Sequence, residues 1–267
     1  MAKLSRLNRL PEAEKNRIYI LLIPPSLFTR FQIDPETGRN PAGEQCLRID
    51  APEGGTEASL NLVSCLADTD PVFYLEVSET RDLVQLSWDF IMINDPDAPR
   101  FYTDQTPDGG SRWLNWRTRN RTEELMALSS GLAPGQVRVG MGLTHEFNCC
   151  LDTFCEVTGF KSITLEALFY HNAIVYERHG FRYFQGEPMM RWINQEFQKD
   201  GSLYNLLDGS PFRKTHFASL IRGRSWAIHE GIIEDRCHEI FEYWQPPRMY
   251  RMVGSRFNVD TAPGVHY

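Results

Sequence analysis

The sequence predicts an α/β fold in which antiparallel strands come first and a helix–strand–helix–strand unit follows. Two runs rich in β-branched and aromatic residues, Val72–Val77 and Val84–Ile93, are typical of neighbouring strands joined by a hairpin turn. After them, a glycine-containing segment opens an amphipathic helix, and a further apolar run follows that helix. These observations favour a mixed α/β chain over an all-helical or an all-β one.

The amphipathic helix is predicted from about Gly140 to Thr158. Its apolar residues recur at intervals of three and four, which is the period of one buried helix face. They are Leu143, Phe147, Cys150, Leu151 and Phe154. Gly159 follows as a C-cap, because glycine adopts the left-handed conformation without strain.

Several other elements are predicted from local patterns. The run Ser162–Phe169 is apolar on both faces, which indicates a central strand. Further helices are predicted over residues 120–130, 172–179, 188–199 and 217–229, and further strands over 181–184 and 249–259. Up to about Asp70 the chain is expected to be irregular, apart from a helix that starts at Pro11 and ends at Pro24-Pro25. Residues 34–44 have the Pro, Gly and Asn content of a loop.

The predicted organisation has three parts. Residues 1–70 form an N-terminal extension, residues 71–185 form the core, and residues 186–267 form a C-terminal extension of helices and strands. The chain is long enough to bury a core of its own without disulfides or metals.

Charge and composition exclude some classes of function. Lys and Arg number 28 against 35 for Asp and Glu, so the formal net charge is −7. Such an acidic chain is a poor non-specific partner for nucleic acid or for an anionic membrane. We find no apolar run long enough for a membrane span and no secretory leader. The six cysteines contain no CxxC pair, so we expect reduced thiols and a cytoplasmic location.

The sequence from 138 to 184 combines three features. The segment Arg138-Val139-Gly140-Met141-Gly142 leads into the predicted amphipathic helix. The predicted strand ITLEAL follows that helix, and the segment YERHGF at Tyr176–Phe181 comes after the strand. Glycines let phosphate groups approach the backbone, and a helix N-terminus attracts anions. This arrangement resembles the GNAT superfamily of acyl-CoA N-acyltransferases, whose members carry a [Q/R]xxGx[G/A] turn and then a segment close to YE[K/R]xGF.

The resemblance extends over residues 72–184 and is strongest from 138 onwards. It has two departures. Val137 stands where the family has Gln or Arg, with Gln136 and Arg138 beside it, and the spacing from Asn172 to Tyr176 is shorter than usual. The resemblance implies a mixed, mostly antiparallel central sheet flanked by helices, with the two extensions added at the ends.

The resemblance also implies a reaction and its partners: an acyl group passes from acetyl-CoA or another acyl-CoA to an amine acceptor. The residues that match the cofactor-binding motifs are Arg138, Val139, Gly140, Met141, Gly142, Leu143, Asn172 and Tyr176. Tyr176 also matches the general acid that protonates the leaving thiolate. Asp89 and Glu166, each on a predicted strand, are the candidate bases. For Asn172, a helix N-cap is the favoured alternative to a contact with the pantetheine arm.

Other interpretations stay open. The chain is alternatively a non-catalytic CoA-binding or sensor protein, or an interaction protein whose termini form a homodimer. His145 and Cys149 lie four apart on the key helix, but no second pair with ligand spacing accompanies them, so no metal is expected. The basic and aromatic run at 112–121 is interpreted as a solvated loop. The arginines of residues 207–231 either clamp an anionic ligand or form internal ion pairs.

Overall fold

A computed structural model gives the structure of the chain and describes residues 3–80, 85–111, 118–235 and 241–267. Its strands are β1 (Leu47–Asp50), β2 (Glu57–Leu62), β3 (Phe73–Glu79), β4 (Gln85–Ile93), β5 (Ser162–Glu166), β6 (Arg182–Gln185) and β7 (Arg248–Met252). They form a seven-stranded sheet in the order β1-β2-β3-β4-β5-β7-β6. Strands β1 to β4 pair antiparallel in sequence, and β5 pairs parallel with β4. The predicted α/β class with a mixed, mostly antiparallel sheet is confirmed.

The described residues contain nine α-helices. They are α1 (Leu4–Leu7), α2 (Glu12–Tyr19), α3 (Pro25–Phe31), α4 (Arg121–Ser129), α5 (Thr144–Thr158), α6 (Tyr170–Arg178), α7 (Glu187–Glu196), α8 (Ser202–Asn205) and α9 (Ile221–His229). Two 3-10 helices, Ile20–Leu22 and Thr215–Ser219, precede α3 and α9 respectively. None of the described helices combines the length and the apolarity that a membrane span requires.

The chain divides into two compact units. The first unit consists of Met1–Ala98, Gly140–Leu165 and Tyr250–Arg256. The second unit consists of Pro99–Val139, Glu166–Met249 and Phe257–Tyr267. The three parts predicted from the sequence, with boundaries at residues 70 and 185, stay a prediction.

In the first unit, α5 packs on the sheet through its apolar stripe. The Phe147 ring lies 6.0 Å from the ring of Phe73 on β3 and 4.9 Å from that of Trp88 on β4. On α2, the Tyr19 ring lies 5.8 Å from the ring of Phe154. The predicted buried face of α5 is therefore confirmed for Phe147, Cys150, Leu151 and Phe154, whereas Leu143 precedes the helix and is only half-buried. The helix begins at Thr144 rather than near Gly140, because the glycine-containing residues before it form a turn.

A buried ion pair also holds α5. The Arg251 side chain is fully buried, and its Nη1 lies 2.8 Å from the Asp152 Oδ2 of α5. Its Nη2 donates to the Asn148 Oδ1 at 3.4 Å. Breaking such a pair leaves a buried charge uncompensated, so it fixes how α5 sits against the 250–256 segment.

The prediction of an irregular first part was wrong for most of residues 1–70. This region contains three helices and two sheet strands, α1 to α3 and β1 to β2. The elements are four to eight residues long, too short for a helical period to stand out. In β2, the buried residues Ala58, Leu60 and Leu62 alternate with more exposed ones, the period of a strand with one buried face. The helix predicted to start at Pro11 is confirmed, because Pro11 is the N-cap of α2.

The second unit has its own apolar cluster, made of Phe101, Ala127, Leu132, Phe212 and Trp226. The indole Nε1 of Trp226 donates to the Leu132 carbonyl at 2.8 Å, so the polar atom of this fully buried ring is satisfied. The helix predicted from Asn120 is confirmed as α4, and the Asn120 side chain accepts from the Glu123 N–H at its N-terminus.

The two strands predicted as antiparallel neighbours are confirmed as β3 and β4. Part of their predicted hairpin turn, residues 81–84, lies outside the described residues. The C-terminal strand is shorter than predicted, since β7 covers only Arg248–Met252.

Candidate functional site

Strand β4 carries an irregularity at Asp89. Phe90 pairs with Glu76 of β3, and Trp88 pairs with Val77, so Asp89 is an extra residue on β4. An extra residue of this kind bends the strand, re-aims a side chain and leaves backbone groups out of the ladder. The Asp89 side chain is exposed, and its Oδ1 accepts from the Ser87 hydroxyl at 2.5 Å.

The pairing of β4 with β5 is short. It runs from Gln85 opposite Ser162 to Trp88 opposite Leu165. Strand β4 then continues to Ile93, and in the described part of the chain no β5 partner is paired with residues 89–93. A strand edge without a paired neighbour is the kind of surface to which an extended ligand adds.

The glycine turn, residues 140–143, lies at the end of β4. A Cβ added at Gly140 would meet the Ile93 carbonyl oxygen at 3.2 Å, so the turn packs closely against the strand. Gly142 has a φ of +71°, and a Cβ added there would meet nothing within 4 Å. The turn thus combines a left-handed backbone with open space on one side, which glycine tolerates without strain.

The turn leads directly into the N-terminus of α5. Leu143 is the N-cap residue, and its apolar side chain makes no capping hydrogen bond. The first-turn N–H groups therefore face the glycine turn with the positive end of the helix dipole. The one acid of this turn, Glu146, accepts from the backbone N–H of Ser26 at 2.9 Å and from its hydroxyl at 2.6 Å. Its charge is thus engaged at the start of α3.

An acidic cleft lies on the exposed face of β1 to β4. Its volume is about 270 Å³, and among its lining residues are the carboxylates of Asp50, Glu57, Glu76 and Asp89. Strand register puts Asp50 opposite Ser59, and Ser59 opposite Glu76. The Glu76 carboxylate accepts from the Tyr74 hydroxyl at 2.5 Å, and this hydrogen bond raises the pKa of Tyr74 to about 12. A cleft of this charge favours ammonium groups.

A second cavity in the first unit, of about 820 Å³, lies between α3 and α5 and is mainly apolar. Cys149 and Cys150 line it, and burial raises the pKa of the Cys150 thiol to about 11. His145 and Cys149 are the pair that the sequence marks as four apart. Within the described residues, no group of three or more His, Cys, Asp or Glu side chains is arranged to hold a metal ion.

Tyr176 and Asn172 lie on α6 in the second unit. Burial raises the pKa of the Tyr176 phenol, and its ring lies 6.1 Å from that of Phe181. The N-cap role predicted for Asn172 was wrong. The N-cap is Phe169, and Asn172 is the third residue of the helix, with its N–H bonded to the Phe169 carbonyl at 3.1 Å. The helix starts earlier because the apolar Tyr170 is buried in the core and joins it.

The other predicted residues also fall in the second unit. Glu166, a candidate base, has its Oε2 3.1 Å from the Nε of Arg248, and both side chains are about half exposed. Arg138 is partly exposed, and Val139 is 45% exposed. In the basic and aromatic run, residues 112–117 lie outside the described residues. Of its other two arginines, Arg119 pairs with Glu124 and Glu230, and Arg121 pairs with Glu230.

Two buried polar pairs in the second unit had no clear sequence signal. His171 Nδ1 lies 2.9 Å from the Ser225 hydroxyl, and burial lowers the pKa of His171 to about 3. Both residues are almost fully buried, which indicates a structural pair rather than a nucleophile and base open to substrate. Glu124 is 1% exposed, and its carboxylate lies 3.2 Å from the Nε2 of His229. The two members of each pair are far apart in sequence, and only the tertiary fold brings them together.

The arginines of residues 207–231 serve the protein itself. Arg224 is fully buried and donates to the Ala218 carbonyl at 2.7 Å and to the Asn194 side chain at 2.8 Å. Arg222 donates to the Gly131 carbonyl at 2.6 Å. These bonds favour internal contacts over an anion clamp.

Comparison of the chain with family models, with curated proteins and with solved structures found no match in any of the three.

Proposed function

We propose that the chain is a GNAT-type N-acyltransferase, which moves an acetyl or other acyl group from acyl-CoA to an amine. The observation that carries the proposal is the glycine turn of the first unit. It packs against the end of the bulged strand β4 and opens α5, a helix of 15 residues. This local geometry agrees with the motif that suggested the family.

The turn fits a diphosphate group on chemical grounds. Such a group needs N–H donors, positive potential and room for close approach. The N-terminus of α5, where the N-cap Leu143 makes no side-chain capping bond, offers the N–H donors and the positive potential, and the open side of Gly142 offers the room for close approach. Residues 142–145 would hold the pyrophosphate of CoA through their backbone. The edge of β4 after Trp88, which has no β5 partner among the described residues, would bind the amide-containing arm of CoA as an added strand does.

The proposed reaction is direct acyl transfer, in which a C–N bond forms at the thioester carbonyl and the C–S bond breaks. Asp89 takes the proton from the attacking amine. The family resemblance assigns to Tyr176 the donation of a proton to the leaving sulfur, whose ordinary thiol pKa is about 8.5. Burial raises the pKa of Tyr176, so its phenol carries a proton near neutral pH but is a weaker acid than an ordinary tyrosine.

The acidic cleft supports an amine as the acceptor. Asp89 is one of its lining residues, so the proposed base belongs to the same cleft that favours ammonium groups. Glu166 is the less suitable base, because Arg248 already pairs with it.

A second candidate is a protein that binds CoA thioesters without catalysis, as a sensor or an interaction module. The surroundings of the candidate base Asp89 favour this alternative. Its side chain is exposed, and among the described side-chain contacts its only hydrogen bond comes from a serine. The departure at Val137 from the family pattern points the same way.

One experiment separates the two candidates. The purified protein is titrated with acetyl-CoA and with CoA by calorimetry, and free-thiol release is then followed over a panel of amines that includes polyamines and lysine. Binding with thiol release on at least one amine supports the enzyme. Binding without release on any amine supports the sensor. Absence of binding at millimolar concentration removes both.

A further inference from the structure

The segment from 257 to 267, here called the strap, crosses the second unit without regular secondary structure. Backbone hydrogen bonds hold both of its ends. The Phe257 N–H donates to the Gly180 carbonyl at 3.1 Å, and the His266 carbonyl accepts from the Ile221 N–H at 2.6 Å. Between these points Thr261 is 1% exposed and Ala262 is 2% exposed, so the middle of the strap is buried.

The YERHGF segment holds the strap at three places. Besides the Gly180 carbonyl, the Glu177 Oε2 accepts from the Thr261 N–H at 3.1 Å. The Arg178 Nη2 donates to the Val265 carbonyl at 3.1 Å. Much of what this segment does in the structure is therefore to bind the strap, a role separate from that proposed for Tyr176.

The contact at Glu177 is unusual for a carboxylate. Glu177 is 3% exposed, and no ion pair to it occurs among the described residues. Three buried oxygen atoms around it have no hydrogen-bond partner in the described part of the chain: Glu177 Oε1, the Tyr183 hydroxyl and the Thr261 hydroxyl. They come from α6, β6 and the strap.

The surrounding charges do not compensate an ionised Glu177. Asp260 of the strap is a second acid nearby, and Tyr183 of β6 and Tyr170 of α6 are neutral phenols. Two guanidinium groups of the same unit bind other partners: that of Arg178 donates to the Val265 carbonyl, and that of Arg224 of α9 donates to the Tyr170 hydroxyl and to the Asn194 side chain. Burial raises the pKa of Glu177, and Asp260 adds to this effect; the neighbouring Thr261 and Tyr183 hydroxyls and the Thr261 N–H act in the opposite direction but do not outweigh burial.

We propose that the packing of the strap on the second unit depends on pH, and that Glu177 is the residue whose protonation controls it. With a proton on Oε1, Glu177 donates to one of the two neighbouring hydroxyls while Oε2 still accepts from the Thr261 N–H. When the carboxyl ionises, a buried negative charge without a cation loosens the strap. The folded pKa is raised, so this stabilisation is full below the ordinary carboxyl range and is lost as pH rises through the folded pKa.

Hydrogen exchange of the strap amides, corrected for the intrinsic pH dependence of exchange, tests the proposal on the full chain between pH 5 and pH 9. The expected result is a protection that falls by about tenfold per pH unit between the ordinary carboxyl range and the folded pKa of Glu177, and that levels off above the folded pKa. Glu177→Gln, which is neutral at every pH, should keep its protection constant across this range. Glu166→Gln, an exposed acid of the same unit, should behave as the wild type.

A second variant covers the case in which Glu177→Gln does not fold. Asp260→Asn removes the neighbouring negative charge. The asparagine keeps a side-chain oxygen that can accept from the Ala262 N–H, as the Asp260 Oδ1 does at 3.0 Å. With this charge removed, the loss of protection should level off at a lower pH than in the wild type, so that the total loss is smaller. Protection that stays constant with pH in the wild type, or a loss in Glu177→Gln equal to that of the wild type, overturns the proposal. The measurement involves no CoA, so its outcome is independent of the proposed acyl transfer.

Discussion

Replacing Gly142 by alanine tests the glycine turn directly, because the first unit contains a matched control. Gly142 has a φ of +71°, and Gly254, also in the first unit, has a φ of +74°. A Cβ added at either residue would meet nothing within 4 Å. The two substitutions therefore impose the same backbone strain and the same absence of clashes, but only Gly142 belongs to the turn at the start of α5.

The size of each effect follows from this geometry. An L-residue in the left-handed region costs about 1–2 kcal/mol, so both variants should lose about that much free energy of unfolding. For a chain of this size, each kcal/mol lowers the Tm by about 2–4 °C. At Gly142 the methyl group also occupies the space that the pyrophosphate would use. We expect CoA binding to weaken at least tenfold there, which corresponds to about 1.4 kcal/mol.

The assay is calorimetric titration with CoA, with thermal unfolding of the free proteins as the stability reference. The expected pattern is an equal loss of Tm in both variants and a loss of affinity only in Gly142→Ala. Equal affinity for CoA in Gly142→Ala and Gly254→Ala would refute the assignment of the turn as the pyrophosphate site, whatever their stability.

Three further outcomes follow from the structure. Tyr176→Phe should lower turnover at least tenfold while CoA affinity is retained, if its hydroxyl is the general acid; the exposed Tyr243→Phe in the same unit is the control, and unchanged turnover removes the role. Asp89→Asn should lower kcat/KM far more than Glu166→Gln, since Arg248 already pairs with Glu166, and the reverse order in steady-state kinetics would exchange their roles. The pKa of His171 falls to about 3 on burial, so the folded state keeps it neutral while the unfolded state binds a proton. Its contribution to stability is therefore present above about pH 6.5 and lost towards pH 3, by about 1.4 kcal/mol per pH unit; denaturant unfolding of His171→Gln should show a shallower loss over this range, and identical slopes would contradict the assignment.

Local sequence patterns predicted the elements that have a regular period or a strong end signal. The stripe of α5, the paired strands β3 and β4 and the Asn120 cap of α4 agree with the structure, because each depends on residues close together in the chain. The short elements of the first 70 residues escaped the same reasoning. Their stability comes from distant partners: the Ser5 hydroxyl of α1 donates to Glu79 of β3 at 2.9 Å, and the Asn8 side chain donates to the Gly55 carbonyl at 2.8 Å.

The candidate site also contains features that local sequence predicts and features that depend on distant contacts. The glycine turn and its helix are readable from the residues, since glycine, the helix start and the apolar stripe follow one another in sequence. The bulge at Asp89 is not, because it depends on the register between β3 and β4. The ion pair that occupies Glu166 also depends on a residue 82 positions away.

The sequence by itself determined the α/β class, the position of the glycine turn and the motif that suggested acyl transfer. Only the tertiary structure decided which polar residues are exposed and which are buried. It put the Asp89 side chain on an acidic cleft and buried that of Glu177 under the strap. The physical reason is that burial and charge compensation are set by contacts between distant segments, and these contacts shift the pKa of a group and set its access to solvent.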